Sequence, residues 1–220
     1  MAKIIPDYFN RSADSIVSDD IYFESSGYIY RALSWIDLAK RKGCAVAFQY
    51  AAHDARQGIE QLLFEELLVS VGTNFDRTEY EKCVGSSTKL HAVINRLAPE
   101  RELLGKFNQT VFSVSSVQIP LIVWDHKLLM KYWGRISKYL HWAGAIDETI
   151  KVKSWVGKGM AITEEACIYI WDNQIKNETG VMFPIDMHPE IRSLWEKYKT
   201  GQIDIEAVRL SCQMLKSAIR

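Results

Sequence analysis

The feature that most constrains this chain is a long amphipathic segment that runs from about Cys44 to Val71. Its apolar residues recur mostly at every third or fourth position, which is the repeat of a helix with one buried face. Gly72 follows at the position where a glycine commonly ends a helix. A helix of this length has to bury its apolar stripe against other elements, so the segment predicts a helical bundle. The stripe consists of Phe48, Ala52, Ala55, Ile59, Leu62, Leu63 and Leu67.

The same repeat predicts helices on both sides of this segment. Residues 21–42 carry apolar side chains at helical spacing and end before Gly43, so we expect them to form an antiparallel pair with the long segment. Downstream, a short helix is predicted to begin at Pro99 and a longer one to occupy residues 120–144, because proline suits the first turn of a helix. One face of the longer helix carries Ile122, Leu129, Trp133, Ile136 and Leu140.

The pattern changes after residue 144. Residues 149–156 alternate between apolar and polar side chains, which is typical of a β-strand. Gly157 and Gly159 follow at a place where they could turn the chain back on itself. These signals predict a β-hairpin at residues 149–162.

The remaining C-terminal sequence predicts helices again. They are expected to begin at Thr163, Pro189 and Asp204, which are residues that favour helix starts. The predicted fold class is therefore mainly α. An antiparallel helical bundle is expected at residues 1–144, and a smaller helical extension with the hairpin is expected at residues 145–220.

The chain carries no net charge, because 27 Lys and Arg residues balance 27 Asp and Glu residues. General attraction to nucleic acid or to an anionic membrane is therefore not a property of this composition, and RNA binding requires a local basic patch. Hydrophobic residues make up 48% and charged residues 25%, which is typical of a globular protein and excludes a disordered one.

The cysteines and the apolar runs indicate in which cellular compartment the protein is expected. The cysteines are far apart and form no Cys-x-x-Cys pair, so neither a zinc site nor a disulfide framework is predicted. The N-terminal residues lack the apolar core of a signal peptide, and charges interrupt every apolar run before it could span a membrane. We therefore expect a cytoplasmic protein with reduced thiols, no metal or other cofactor, and no membrane or DNA partner.

One polar face of the long amphipathic segment is a first candidate site. His53, Arg56 and Glu60 recur on it at three- and four-residue spacing, together with Gln49 and Gln57. This pattern has two interpretations. It is either a solvated helix face with an Arg56–Glu60 ion pair, or the wall of a groove in which His53 and Arg56 contact RNA.

The helix at residues 120–144 carries a second candidate site. Lys131, Arg135 and Lys138 are spaced by four and three residues and so form a basic ridge, and His141 follows. An arginine can stabilise charge on a phosphorane, and a histidine can transfer a proton near neutral pH, so this set suits phosphodiester cleavage. The alternative is a solvated basic helix face with aromatic residues in the core. The interleaved aromatic residues, which could stack on bases, are Tyr132, Tyr139 and Trp142.

The sequence of residues 48–68 resembles the second helix of HEPN domains. That helix typically carries an Ala-Arg-Gln-x-hydrophobic-Glu core followed by leucines. The matching residues here are Ala55, Arg56, Gln57, Ile59 and Glu60. HEPN domains are helical bundles, and many are metal-independent ribonucleases with an arginine and a histidine separated by four to six residues on a late helix. The resemblance covers roughly residues 20–144.

This resemblance implies a role for each candidate residue. Arg135 and His141, with five residues between them, would be the catalytic pair, in which Arg135 binds the scissile phosphate and His141 is the general acid or base. The residues implied to bind RNA are Lys131, Lys138, Trp142, His53 and Arg56. HEPN domains usually pair about a two-fold axis, so a homodimer is expected, acting on RNA in defence or as a toxin.

Other functions remain open at this point. Active HEPN members usually place a polar residue directly after the arginine, whereas this chain has Ile136. A catalytically inactive HEPN-like module that binds a nucleotide or a protein partner is therefore the alternative. A small-molecule enzyme with a pocket inside the bundle is a third interpretation, and it rests only on the abundance of Trp and Tyr.

Overall fold

The computed structural model describes residues 7–19, 24–71, 87–115, 124–141, 153–176 and 187–218. These residues form eight helices and no strand, so the predicted mainly α class is confirmed at this level. The helices are α1 (Ala13–Val17), α2 (Ser25–Lys42), α3 (Ala45–Val71), α4 (Ser87–Val114), α5 (His126–His141), α6 (Lys153–Trp171), α7 (Pro189–Lys199) and α8 (Ile205–Ala218). A π-helical turn, Asp172–Lys176, extends α6. Within these ranges no helix is both long enough and apolar enough to span a bilayer.

The chain divides into two compact units, each built from two stretches of sequence. The first unit comprises Met1–Leu63 and Asp125–Asn177, and the second comprises Phe64–Trp124 and Glu178–Arg220. The first therefore contains α1, α2, most of α3, α5 and α6, and the second contains α4, α7 and α8. These units are defined by contacts between residues. The predicted division into domains at residues 1–144 and 145–220 stays a prediction.

Helices α2 and α3 form the predicted antiparallel pair. Gly43 ends α2 in the left-handed conformation, with φ 61°, which glycine adopts without steric cost. The contacts that join the two helices are Trp35 with Tyr50, Arg31 with Asp54, and Ile29 with Gly58. Along these three contacts the residue numbers decrease in α2 and increase in α3, so the two helices run in opposite directions.

Helix α6 replaces the predicted β-hairpin, so that prediction is wrong over residues 153–162, while residues 149–152 lie outside the described part. Thr163 does not cap a helix either, because its hydroxyl donates to the Gly159 carbonyl one turn earlier, at 2.8 Å. Gly159 packs directly against Phe48 and Tyr139. Packing against distant helices thus outweighs the short alternation that indicated a strand. The buried positions of α6 have helical spacing and are Gly159, Thr163, Ala166, Cys167, Ile170 and Trp171.

The core of the first unit is built around α6, which packs against both α2 and α5. Asp125 caps α5 by accepting a hydrogen bond from the Leu128 amide at 2.9 Å. The predicted start of this helix at Pro120 lies outside the described residues. Fully buried side chains of this core include Ile29, Leu33, Ile36, Phe48, Ile59, Leu129, Ile136 and Ile170.

The core of the second unit joins α4 to α7 and α8. The predicted helix starts at Pro189 and Asp204 are confirmed, and Asp204 accepts a hydrogen bond from the Ala207 amide at 2.8 Å. Helix α4, in contrast, continues through Pro99, where a separate helix was predicted. Long-range packing of the following turns offsets the cost of an internal proline, about 3 kcal/mol. The buried cluster consists of Leu104, Phe107, Met187, Trp195, Val208 and Cys212.

Candidate functional site

A groove on the first unit brings polar and aromatic side chains together. Its volume is about 810 Å³, which lies within the range of sites that hold a small organic ligand. The side chains come from α1, α2, α3 and α5. The lining residues are Val17, Arg31, Trp35, Gln49, Tyr50, His53, Asp54, Tyr139 and Leu140.

Helical spacing explains why these side chains face the groove together. Helix α3 contributes two pairs at i and i+4, Gln49 with His53 and Tyr50 with Asp54, and residues at this spacing lie on one side of a helix. Helix α2 contributes Arg31 and Trp35 at the same spacing. The antiparallel pairing of α2 and α3 then places Arg31 beside Asp54 and Trp35 beside Tyr50.

An ion pair between Arg31 and Asp54 lies in the groove wall. The Arg31 Nε and Nη2 groups donate to the Asp54 Oδ2 and Oδ1 oxygens, both at 2.6 Å. The Asp54 side chain is only 6% exposed and that of Arg31 is 27% exposed. A bidentate guanidinium–carboxylate pair of this kind fixes both side chains, so this part of the groove is rigid.

His53 stands beside this ion pair at the rim of the groove. Its Nδ1 lies 3.7 Å from Asp54 Oδ1, which is too far for a hydrogen bond. The side chain is 61% exposed, so the imidazole is accessible to a ligand. Of the residues predicted to bind RNA, His53 is thus one that lines the groove.

Aromatic rings form another part of the groove. Tyr50 is 54% exposed, and its ring packs on the buried Trp35 with 5.2 Å between centroids. Tyr139 is held by Phe48 and Trp155, at centroid distances of 5.8 Å and 4.6 Å. The groove therefore offers an exposed aromatic ring that is held by a buried one, and such a ring can stack on a flat ligand.

Arg56, also predicted to bind RNA, is not among the lining residues of the groove. Its Nε and Nη2 groups donate to Glu60 Oε1 at 3.3 Å, and its guanidinium lies 4.8 Å from the centre of the Trp133 ring. Trp133 Nε1 donates to the same carboxylate oxygen at 2.7 Å. The predicted Arg56–Glu60 ion pair is confirmed within α3. Trp133 contacts both of its members and so joins α3 to α5.

The predicted basic ridge lies on the outer side of α5. Lys131 and Lys138 are exposed and Arg135 is partly buried, whereas Leu129 and Ile136 are buried in the core. The exposed and the buried side of α5 follow from its amphipathic sequence. The three cations are therefore on the side of α5 that faces away from the core.

Tyr132 links the ridge helix to α6. Its hydroxyl donates to Glu165 Oε1 at 2.8 Å. The pKa of Tyr132 is raised to about 12, mainly by burial and then by the hydrogen bond to Glu165, while the nearby charge of Arg135 acts in the opposite direction. The phenol is therefore neutral at physiological pH and keeps its proton for this hydrogen bond.

The structure places Arg135 and His141 on the same helix, six positions apart. His141 is the last residue of α5, and its side chain and all of Trp142 lie outside the described part. Six positions along a regular helix correspond to a rotation of about 120°. Tyr139 and Leu140, the two residues before His141, line the groove, so the last turn of α5 borders it.

Sequence reasoning missed Arg31, Trp35, Tyr50 and Asp54. A signal for one of them was present, because Asp54 is a charged residue within a run of alanines on the long helix, Ala51, Ala52 and Ala55. A carboxylate at such a position requires a cation or hydrogen-bond donors as its partner. The identity of that partner depends on the register between α2 and α3.

Comparison of the chain with protein-family models, with curated proteins and with solved structures finds no match. The resemblance to HEPN domains therefore rests on the sequence motifs alone. Among the described side chains, no three His, Cys, Asp or Glu residues lie close enough together to hold a metal ion.

Proposed function

We propose that the protein is a metal-independent endoribonuclease of the HEPN type, with RNA bound along the groove of the first unit and the basic ridge of α5. The observation that carries the proposal is the position of the last turn of α5. This turn ends at His141 and also supplies Tyr139 and Leu140 to the groove. A ligand in the groove is thus close in the structure to the predicted catalytic segment.

Each residue of the ridge has a role in this proposal. The exposed Lys131 and Lys138 attract the phosphates of the RNA backbone. Arg135 stabilises the negative charge that develops on the phosphorus centre, and His141 moves a proton to or from the attacking 2′-hydroxyl or the leaving oxygen. No metal is required, because the arginine supplies the positive charge.

The rotation between Arg135 and His141 favours a site shared by two protomers. In a two-fold dimer that pairs at α5, Arg135 of one protomer and His141 of the other can approach one phosphate from opposite sides. Such a dimer agrees with the homodimer that the resemblance implies. It also explains how two residues about 120° apart on a single helix could act together.

The experiment that tests this proposal compares the cleavage rates of wild-type protein, His141→Ala and His188→Ala with labelled RNA in excess EDTA. His188 is an exposed histidine in the second unit and serves as the matched control. Loss of a general acid or base lowers the rate by about 100-fold or more. We expect this loss for His141→Ala and an unchanged rate for His188→Ala. Equal rates for all three proteins would rule out the assigned mechanism.

A second candidate function is a catalytically inactive module that binds a nucleotide or a protein partner. The burial of Ile136 favours it, because this residue is 0% exposed at the position where active HEPN members usually carry a polar residue. A polar side chain there would lack solvent and would need its own partner in the core. Nucleotide-dependent thermal stabilisation of a protein that cleaves no RNA would support this candidate.

A further inference from the structure

We infer that Tyr50 is a base-stacking subsite, and that the groove accepts an unpaired nucleobase of single-stranded RNA and excludes duplex RNA. This inference rests on the proposed function for its choice of RNA as the ligand. It goes further by naming the class of RNA and the residue that selects it. The observation behind it is the geometry of the Tyr50 and Trp35 rings.

The exposure of Tyr50 is the first step. Tyr50 lines the groove and is 54% exposed, and its ring packs against the buried Trp35 at a tilt of 35°. Stacking on a base covers a face of such a ring, and every base has a flat π surface that can take part. Inside a duplex both faces of a base are already stacked, so away from the duplex ends only an unpaired base can stack on Tyr50.

Polar groups beside Tyr50 suit the rest of a nucleotide. Gln49 and His53 lie one helical turn apart on α3 and flank Tyr50 in the groove. An amide both donates and accepts hydrogen bonds, so Gln49 can pair with the edge of a stacked base. The accessible imidazole of His53 can contact the ribose or a phosphate. On α5, the exposed Lys138 directly precedes the lining residue Tyr139 and can contact the phosphate of a neighbouring nucleotide.

The groove charge also favours stacking over phosphate binding as the main interaction at this position. Arg31 is neutralised by its bidentate pair with Asp54, so the wall beside Tyr50 has no net charge from these two residues. The same pair and Trp35 hold the subsite rigid, which lowers the entropic cost of ligand binding. Affinity at this position should therefore depend on the aromatic ring more than on salt.

The test uses full-length His141→Ala protein, so that binding is measured without cleavage. Fluorescence anisotropy compares a labelled single-stranded oligoribonucleotide with a duplex of the same length. We expect tighter binding of the single strand, and a loss of about 5- to 100-fold when Tyr50→Ala is added. Tyr50→Phe should retain the affinity, because stacking needs the ring and not the hydroxyl.

Controls separate stacking from other effects. Met214→Ala removes a side chain that is also exposed, on α8 of the second unit, and should leave the Kd unchanged. Tyr50→Leu keeps an apolar cover over Trp35, so it replaces Tyr50→Ala if the latter does not fold. Equal losses in Tyr50→Phe and Tyr50→Ala, an unchanged Kd in a folded Tyr50→Leu, or no preference for single strands would overturn the subsite.

The two proposals fail in different ways. Binding by His141→Ala with the expected Tyr50 effect, beside a wild-type protein that cleaves nothing, supports the subsite and removes the ribonuclease. Cleavage by wild-type protein with no effect of Tyr50→Leu on KM keeps the ribonuclease and removes the subsite. Absence of any RNA binding removes the subsite.

Discussion

At the scale of single residues, the bidentate Arg31–Asp54 ion pair fixes one part of the groove wall. Replacing Asp54 with Asn leaves the Arg31 guanidinium without its counter-charge in a partly buried position. We expect Asp54→Asn to lower the free energy of unfolding by about 2–3 kcal/mol, below the cost of breaking a fully buried pair because Arg31 retains some contact with solvent. Urea unfolding measures this difference.

The Lys40–Glu164 ion pair provides the control for that measurement. Both of its side chains are substantially exposed, at 49% and 32%. Exposed pairs contribute between about 0 and 1 kcal/mol, so Glu164→Gln should have only a small effect. If Glu164→Gln and Asp54→Asn destabilised the protein equally, the structural role assigned to the groove pair would be wrong.

The hydrogen bond of Tyr132 to Glu165 predicts how stability depends on pH. The pKa of Tyr132 is about 12 in the folded protein, against an ordinary value of 10.0. Because the folded state holds this proton more tightly, its contribution to stability is complete below pH 10 and is lost as the pH rises through 12. The free energy of unfolding should therefore fall more steeply in this window for wild-type protein than for Tyr132→Phe. Parallel pH profiles of the two proteins would contradict the assignment.

At the scale of elements, two glycines of α6 should respond in opposite ways to the same substitution. A Cβ atom at Gly159 would lie 2.8 Å from the Tyr139 ring and even closer to Phe48, so Gly159→Ala should destabilise the protein by about 1–3 kcal/mol. At Gly157, a Cβ atom would meet no described atom within 4 Å. Gly157→Ala should stabilise α6 by about 0.5–1 kcal/mol. Thermal unfolding of the two variants decides the matter, and shifts of the same sign would argue against α6 as described.

The same helix shows where sequence reasoning reached its limit. Gly43, Pro189 and Asp204 mark helix ends through local effects, namely backbone freedom, a fixed φ angle and a capping carboxylate, and all three were predicted. Gly159 is different, because its role is set by contacts with Phe48 and Tyr139, which are distant in sequence and lie on two other helices. A local pattern of glycines and alternating residues therefore indicated a turn where the fold requires a close helix contact.

The candidate site also has one part that follows from local sequence and another that depends on contacts between helices. The ridge of Lys131, Arg135 and Lys138 lies within one helix, so helical spacing alone predicted that these residues share a side. The groove depends instead on the register between α2 and α3, which pairs Arg31 with Asp54. No spacing within one segment carries that information, and only the unusual position of Asp54 among alanines indicated it.

At the scale of the whole molecule, a site shared between protomers predicts complementation. The protein should elute with a mass near twice the 25.3 kDa of one chain. Arg135→Ala and His141→Ala should each be inactive alone, but mixed dimers contain one intact shared site. If protomers exchange freely, the mixture should recover about a quarter of wild-type cleavage, because half of the dimers then carry one of two sites.

Two results would contradict the shared site. Complete inactivity of a mixture in which exchange of protomers has been verified would place Arg135 and His141 in the same protomer during catalysis. A monomeric protein with full activity would also show that both residues act within one protomer. The cleavage chemistry itself would remain assigned to these residues in both cases.

The most direct test of the central claim is the chemistry of the RNA ends after incubation with wild-type protein in excess EDTA. Attack by the 2′-hydroxyl, with Arg135 and His141 in their assigned roles, predicts fragments with 2′,3′-cyclic phosphate and 5′-hydroxyl ends. Mass spectrometry of the fragments identifies these ends. A folded, dimeric protein that cleaves no RNA, or one that cleaves only after Mg²⁺ is added and leaves 5′-phosphates, would contradict the claim.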